Sequence, residues 1–198
     1  MTPELEIHPL TRERLPDLAA LFGQGGDPKW CWCASFRVRG MTFRNASAQE
    51  NRAVLERAVE ELEGRAPGLI AYREGEAIGW VSLGPREDYE RLQHSKVLAP
   101  IDDRPVWSIV CFVVGRRARG TGVASALLEA AVAYARVHGA TLLEAYPVET
   151  GGGRIPSGNA YMGTLGMFER AGFSVVERRQ WNRATAVRPI VRRRIRAR

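Results

Sequence analysis

The sequence predicts a single α/β domain built on a mixed sheet, and three observations carry that reading. The run WSIVCFVV at 107–114 is apolar at almost every position, as expected of a central strand buried on both faces. Val123, Leu127, Ala130, Tyr134 and Val137 then recur at helical spacing up to Gly139, and a second strand follows at 141–146. That is a βαβ unit, whose right-handed crossover sets its two strands parallel. Finally, the apolar runs at 69–73 and 78–83 flank the turn EGEA and read as an antiparallel hairpin.

The remaining elements fall into order around these. A first strand at 5–9 precedes Leu15, Leu18, Ala19 and Phe22, which keep helical spacing until the glycines of 23–26. Ser47 stands three residues before Glu50, a capping-box start for a helix carrying Val54, Leu55, Ala58, Val59 and Leu62 and stopped by Gly64. Residues 85–105 are polar with three prolines and a weak helical period, so a short helix inside a long connection is expected there. Long connections in compact domains often carry function, which makes this one a candidate wall of a binding site. A flexible loop at 151–158, a helix over 159–171 closed by Gly172, and a strand at 173–177 complete the core. The last strand lies within 184–194, where Pro189 argues for an edge position or a bulge.

Composition excludes several classes. A chain of 198 residues suits one domain burying about 70% of its unfolded surface. No stretch approaches the ~20 apolar residues of a membrane span, the opening segment MTPELEIHPL lacks a leader pattern, and three cysteines make no disulfide framework. A cytoplasmic protein is expected. The formal charge of +7 comes from nine arginines in residues 178–198, which hold no acid; residues 1–177 carry −2. The basic segment 179–198 therefore reads as a solvated last strand and tail rather than a nucleic-acid site.

The chemistry sits in the turn GRRARGTGVASALL. Gly120 and Gly122 let the backbone approach a ligand closely, and the first-turn amides of the following helix lack helical partners at its positive end. Such a turn suits a pyrophosphate. It is neither a phosphate loop, which needs GxxxxGK, nor a dinucleotide fingerprint, which needs GxGxxG. The spacing present is R-x-x-G-x-A at Arg119, Gly122 and Ala124.

With the strand CFVV, the turn RGTGVA, the helix SALLEAAVAYA and the later MFERAGF, the chain resembles the GCN5-related N-acetyltransferase (GNAT) family. The resemblance follows the order of elements over 69–177 and is strongest at 107–138 and 167–173. It implies a sheet of six to seven strands with about four helices, splayed open between the strands at 107–114 and 141–146. It also implies acetyl-coenzyme A as donor and no metal. Backbone groups of Phe112, Val113 and Val114 would pair with the pantetheine arm, and amides from Arg119, Gly120, Thr121, Gly122, Val123 and Ala124 would hold the pyrophosphate. Arg116, Arg117 or Arg119 would meet the remaining phosphate charge, and Asn159 and Phe168 would complete the coenzyme contacts.

An amine attacks a thioester only when neutral, whereas a lysine-like ammonium has a pKa of about 10.4, so a proton acceptor or a desolvating site is required. A backbone N–H near Val114 would stabilise the tetrahedral intermediate, and a thiolate of pKa near 8.5 can leave unaided. The tyrosine that many relatives use as acid is Phe168 here, and their usual asparagine seven residues earlier is Tyr161. Tyr161 and Tyr146 are the candidate donors; Glu87, Asp88 and Glu149 are candidate proton acceptors. Trp30, Trp32 and Cys33, in the segment WCWC, are expected with Trp107 to wall the acceptor pocket, core packing being the alternative for that segment. Its C-x-C pair lacks a second pair at metal spacing, and Cys111 reads as a small core residue.

The function expected is acetylation of a small-molecule amine. Peptide acetylation and noncatalytic acyl-coenzyme A sensing are the competing readings, the latter kept alive by Phe168. An enclosed pocket would favour the first and an open groove the second. Expected partners are the amine acceptor and at most a second copy of the chain in a homodimer.

Overall fold

The computed structural model describes residues 4–150, 160–180 and 187–196. Seven strands form one sheet in the order β1-β2-β3-β4-β5-β7-β6. They are β1 (Leu5–Pro9), β2 (Gly68–Arg73), β3 (Glu76–Pro85), β4 (Trp107–Val114), β5 (Leu142–Ala145), β6 (Ser174–Arg179) and β7 (Arg188–Arg194). β4 lies at the centre and pairs parallel with β5; the other named pairs are antiparallel. Both strands that flank the crossover helix are thus adjacent, as the βαβ pattern requires.

The helices are α1 (Leu15–Gly23), α2 (Pro28–Cys31), α3 (Gly40–Asn45), α4 (Ala48–Glu61), α5 (Glu90–His94), α6 (Val123–Val137) and α7 (Leu165–Arg170). Ser47 and Glu50 close the capping box of α4 in both directions. One face of the sheet packs on α6 and α7 through Val123, Leu127, Ala131, Leu165 and Phe168. The other packs on α1, α4 and the connections through Leu18, Phe22, Leu55, Trp80 and Tyr89. Among the described residues no helix is long and apolar enough to cross a membrane.

Two elements differ from expectation. The helix expected over 159–171 begins only at Leu165, because Thr164 is extended (φ −103°, ψ 149°) and Gly163 turns the chain at φ 80°; Asn159 and the loop at 151–158 lie outside the described residues. β7 is interior, between β5 and β6. Pro189 is accommodated because pairing with β5 ends at Val191, so that only β6 flanks the strand there.

The arginines of the last strand are also less solvated than their density suggests. Arg192 is 7% exposed and reaches Glu144 at 2.7 Å and Asp102 at 2.7 Å, while Arg193 donates to the Ala171 carbonyl. Arg178 and Arg179 pair with Glu149 and Glu177. Four arginines of the basic segment are thus engaged within the fold instead of solvated.

Candidate active site

The pairing of β4 with β5 covers only Trp107, Ser108 and Ile109. At that point the β3–β4 register steps from Ser82–Cys111 to Leu83–Ile109, leaving Val110 as a bulge. A bulge bends its strand and raises the local twist, so β4 turns away from β5 where it occurs. Beyond it, the Phe112 N–H donates to the Tyr161 carbonyl at 2.6 Å, across the side β5 has left. Backbone groups alternate sides along a strand, and the Gly115 N–H donates back to Ile78 of β3 at 2.9 Å. Phe112 and Val114 therefore face the gap, whereas Val113 faces β3 and is withdrawn from the set expected to pair with pantetheine.

β4 leads through Gly115 into a short turn at Arg116–Ala118 and then to α6. Gly120 (φ 77°) and Gly122 (φ 84°) hold left-handed backbone that side chains disfavour, and a Cβ on either would meet no atom within 4 Å. The turn is an open cradle at the N-terminus of a 15-residue helix, with Gly122 as its N-cap. Thr121 Oγ1 donates to the Ala118 carbonyl, and Arg119 Nε donates to the Val114 carbonyl at 3.1 Å. Arg117 and Arg119 are exposed. Arg73, at the end of β2, brings Nη2 within 3.4 Å of Thr121 Oγ1. Its approach comes from hairpin geometry, which the sequence does not display.

On the far side of Tyr161 lies a groove of ≈ 1040 Å³ lined by α3, α5, Ser95, Val97, Leu98, Tyr161, Met162 and the start of β7. The 85–105 connection supplies a wall, held in place from beneath. Arg86, 6% exposed, donates to the carbonyls of Leu92 and Leu98, to Glu144 Oε1 and to the Tyr146 hydroxyl.

None of the four residues expected to wall an acceptor pocket is among those lining this groove. Trp32 is 7% exposed, edge-on to Phe22 at 5.2 Å, with the Arg52 guanidinium over its ring. Cys33 is buried, accepts from Trp80 Nε1 at 3.3 Å and places its sulfur 3.1 Å from that of Cys111. Both hold left-handed backbone (φ 45° and 54°), strain that packing against the sheet must offset. Trp30 packs against Phe43 with the rings tilted by 56° and their centroids 4.6 Å apart. Trp107 is on the opposite face of the sheet, against Tyr134 and His138, because its place in β4 points it toward α6.

Burial raises the Cys31 thiol to about 12. The hydrogen bond between the other two thiols lowers Cys33 and raises Cys111, so the cluster stores no exposed thiolate. Among the described residues no group of three or more potential ligands could hold a metal.

The two candidate donors part company. Tyr146 is fully buried and its hydroxyl donates to Glu144 Oε1 at 2.6 Å; burial, then the Glu144 charge, push its pKa well up. It belongs to the polar core and has no face to the gap. Tyr161 is half-buried, lines the groove and touches β4 through its carbonyl. Phe168 is fully buried, packed edge-on to Phe112 (6.1 Å) and Phe173 (5.0 Å), so it supports β4 from below instead of reaching the gap. Of the candidate acceptors, Asp88 is held bidentately by Arg65, Glu149 pairs with Arg178, and Glu87 is exposed; none lines the groove.

Residues 32–173 match the model of the acetyltransferase (GNAT) family. No match is found among curated proteins. Similar solved structures include the NatC complex bound to Gag peptide and CoA (15% identity, 97% of this chain and 99% of that chain, TM-score 0.56). They also include a ribosomal-protein-alanine N-acetyltransferase from Brucella melitensis (20%, 96% and 99%, 0.56) and an agmatine N-acetyltransferase variant (10%, 96% and 99%, 0.60). The splayed strand, the open glycine turn and a family match over most of the sequence agree, and the chain belongs to the GNAT family of acetyltransferases.

Proposed function

We propose that residues 1–198 form one catalytic unit that moves the acetyl group of acetyl-coenzyme A to the primary amine of a small molecule by direct attack. The observation that carries this is the gap between β4 and β5, with the glycine turn at one end and the groove at the other, Tyr161 bridging the two. Backbone groups of Phe112 and Val114 bind the pantetheine arm, once the Tyr161 carbonyl and Arg119 Nε yield their positions on them. Amides from Gly120 to Ala124 take the pyrophosphate, with Arg117, Arg119 and Arg73 as counter-charges. The thioester supplies an activated acyl group and a thiolate of pKa near 8.5 as leaving group. Amine nitrogen bonds to the carbonyl carbon, the C–S bond breaks, and the thiolate takes up a proton. The amine's own proton passes to water, since Glu87, Asp88 and Glu149 lie outside the groove.

A concave site of ≈ 1040 Å³ is just above the range typical of small ligands, about 300–1,000 Å³. Similar structures act on both kinds of acceptor, agmatine in one case and a ribosomal protein's alanine in another, so peptide acetylation is the competing reading. We place the enzyme in a reducing cytoplasm, which fits its three free thiols. The test is calorimetric binding of acetyl-coenzyme A, followed by release of free coenzyme A with pooled small amines and with peptides, read by mass change of the acceptor. Binding without release for any amine would leave a sensor; release with peptides alone would reverse the acceptor class.

A further inference from the structure

The groove is lined by four arginines and a histidine. Arg39, Arg44, Arg91, His94 and Arg188 all face it, and no carboxylate is among its lining residues. Arg39 is already engaged, with Nε 2.7 Å from Glu90 Oε1 and Nη2 3.3 Å from His94 Nε2. The other three arginines are not. Arg44 donates only to the Met41 sulfur at 3.1 Å, Arg91 lies over the Phe36 ring at 5.0 Å, and neither forms an ion pair among the described residues. Arg188 has Nη1 shut off from solvent with no hydrogen-bond partner. An unsatisfied buried donor on a charged group is costly, and like charges around one cavity repel.

Arg65, Arg86 and Arg192 each have a carboxylate, whereas Arg37, Arg73 and Arg136 are half-buried with an unpartnered Nε and form no ion pair among the described residues. What distinguishes the groove is that three guanidiniums without a carboxylate among the described residues face one cavity.

Resting on the reading of this groove as the acceptor site, we propose that the amine acceptor carries an anionic group, a carboxylate or phosphate, which Arg44, Arg91 and Arg188 receive. They come from α3, α5 and the start of β7, three separate parts of the chain, so they can surround an anion. Charge-assisted bonds from guanidinium to carboxylate or phosphate are roughly twice as strong as neutral ones. With its anion held there, the acceptor can extend its amine toward Tyr161 and Met162, which line the same groove next to β4.

The experiment compares amines in matched pairs. Amino acids are set against their amides, phosphoethanolamine against ethanolamine, and agmatine serves as a cationic probe. Each is measured by coenzyme A release and, independently of turnover, by calorimetric titration onto the full chain with coenzyme A present. The anionic member of a pair is expected to show about tenfold or greater preference in kcat/KM and in affinity, the carboxylate and phosphate series telling which anion is used. Arg44→Gln and Arg91→Gln should each cut that preference several-fold while the melting temperature stays close to that of the parent.

Equal or better use of amides, ethanolamine or agmatine would overturn the proposal while leaving the acetyltransferase reading in place. So would an acid-over-amide ratio unchanged in both variants, or salt-dependent binding of an oligonucleotide without preference for anionic amines. Failure of acetyl-coenzyme A to bind would instead remove the underlying reading; the calorimetric preference would still judge the anion site.

Discussion

Arg86 Nη1 lies 2.8 Å from Glu144 Oε1, with the two side chains only 7% and 1% exposed. The pair joins the groove wall to β5, since the same guanidinium also holds the carbonyls of Leu92 and Leu98. Removing one partner leaves a charge desolvated, which costs about 3–5 kcal/mol, whereas replacing both by apolar groups can be near neutral. Glu144 also accepts from Arg192. Glu144→Leu, which strands Arg86, should therefore destabilise strongly, whereas Arg86→Met, which leaves Glu144 its Arg192 partner, should cost less. The double variant should lose less than the sum of the two, because Arg192 keeps Asp102. Urea unfolding of the singles and the double measures it. Additive losses would show that the pair is not coupled.

Gly122 and Gly139 provide an internal control. Both hold nearly the same left-handed backbone (φ 84° and 79°) and both have open space where a Cβ would stand, but they flank opposite ends of α6. A side chain at either position is strained by about 1–2 kcal/mol through conformation alone. Gly122→Val should lose that stability and also weaken acetyl-coenzyme A binding about tenfold or more, by obstructing the cradle. Gly139→Val should lose similar stability with affinity intact. Calorimetry on both folded variants separates the two effects, and equal affinities would remove the glycine turn from the binding site.

Asp102 sets an acid limit on the fold. Hydrogen bonds from Arg104, then Arg192, hold its carboxyl well below the usual range. A carboxylate depressed in the folded state contributes stability that is complete above its unfolded pKa of about 3.9 and disappears as pH falls toward the folded value. The slope of stability against pH below about 4 should therefore be shallower in Asp102→Asn than in the parent. Urea midpoints at pH 5, 4 and 3 test this; parallel slopes would mean that the contacts with Arg104 and Arg192 do not survive in solution.

The elements carried by strong local chemistry were legible in the sequence. β1 and β4 have the bounds their apolar runs predict, and the Ser47–Glu50 pair caps α4 as its spacing requires. The glycine turn was legible for a similar reason, because glycines before an amphipathic helix constrain the backbone directly. The bulge at Val110 was not: in a strand apolar on both faces, an extra residue disturbs no alternation. The arginine-lined groove was hidden too, since Arg44, Arg91 and Arg188 are far apart in the chain and only tertiary packing assembles them. The WCWC segment misled because exposed and buried tryptophans look alike in sequence. Trp32 and Cys33 turned inward when their left-handed backbone and the Cys111 and Trp80 contacts locked them to the sheet.

The departing thiolate finds no proton donor at position 168. Phe168 cannot donate a proton, and it lies under Phe112 in an apolar cluster, so a hydroxyl added there has no evident partner. Phe168→Tyr should cost stability of about 1–3 kcal/mol from the buried hydroxyl and change turnover by less than about tenfold, which corresponds to about 1.4 kcal/mol on the barrier. Tyr161 is the described tyrosine that both lines the groove and contacts β4, which makes Tyr161→Phe the decisive variant. The ring and the carbonyl that accepts from Phe112 are retained; only the hydroxyl is lost. A thiolate leaves adequately without help, so turnover is expected to fall by less than about tenfold, whereas a general acid typically contributes about a hundredfold or more. Turnover at saturating acceptor, with acetyl-coenzyme A affinity measured alongside, decides between them: a hundredfold loss at unchanged affinity would make the Tyr161 hydroxyl the proton donor and end the unassisted mechanism.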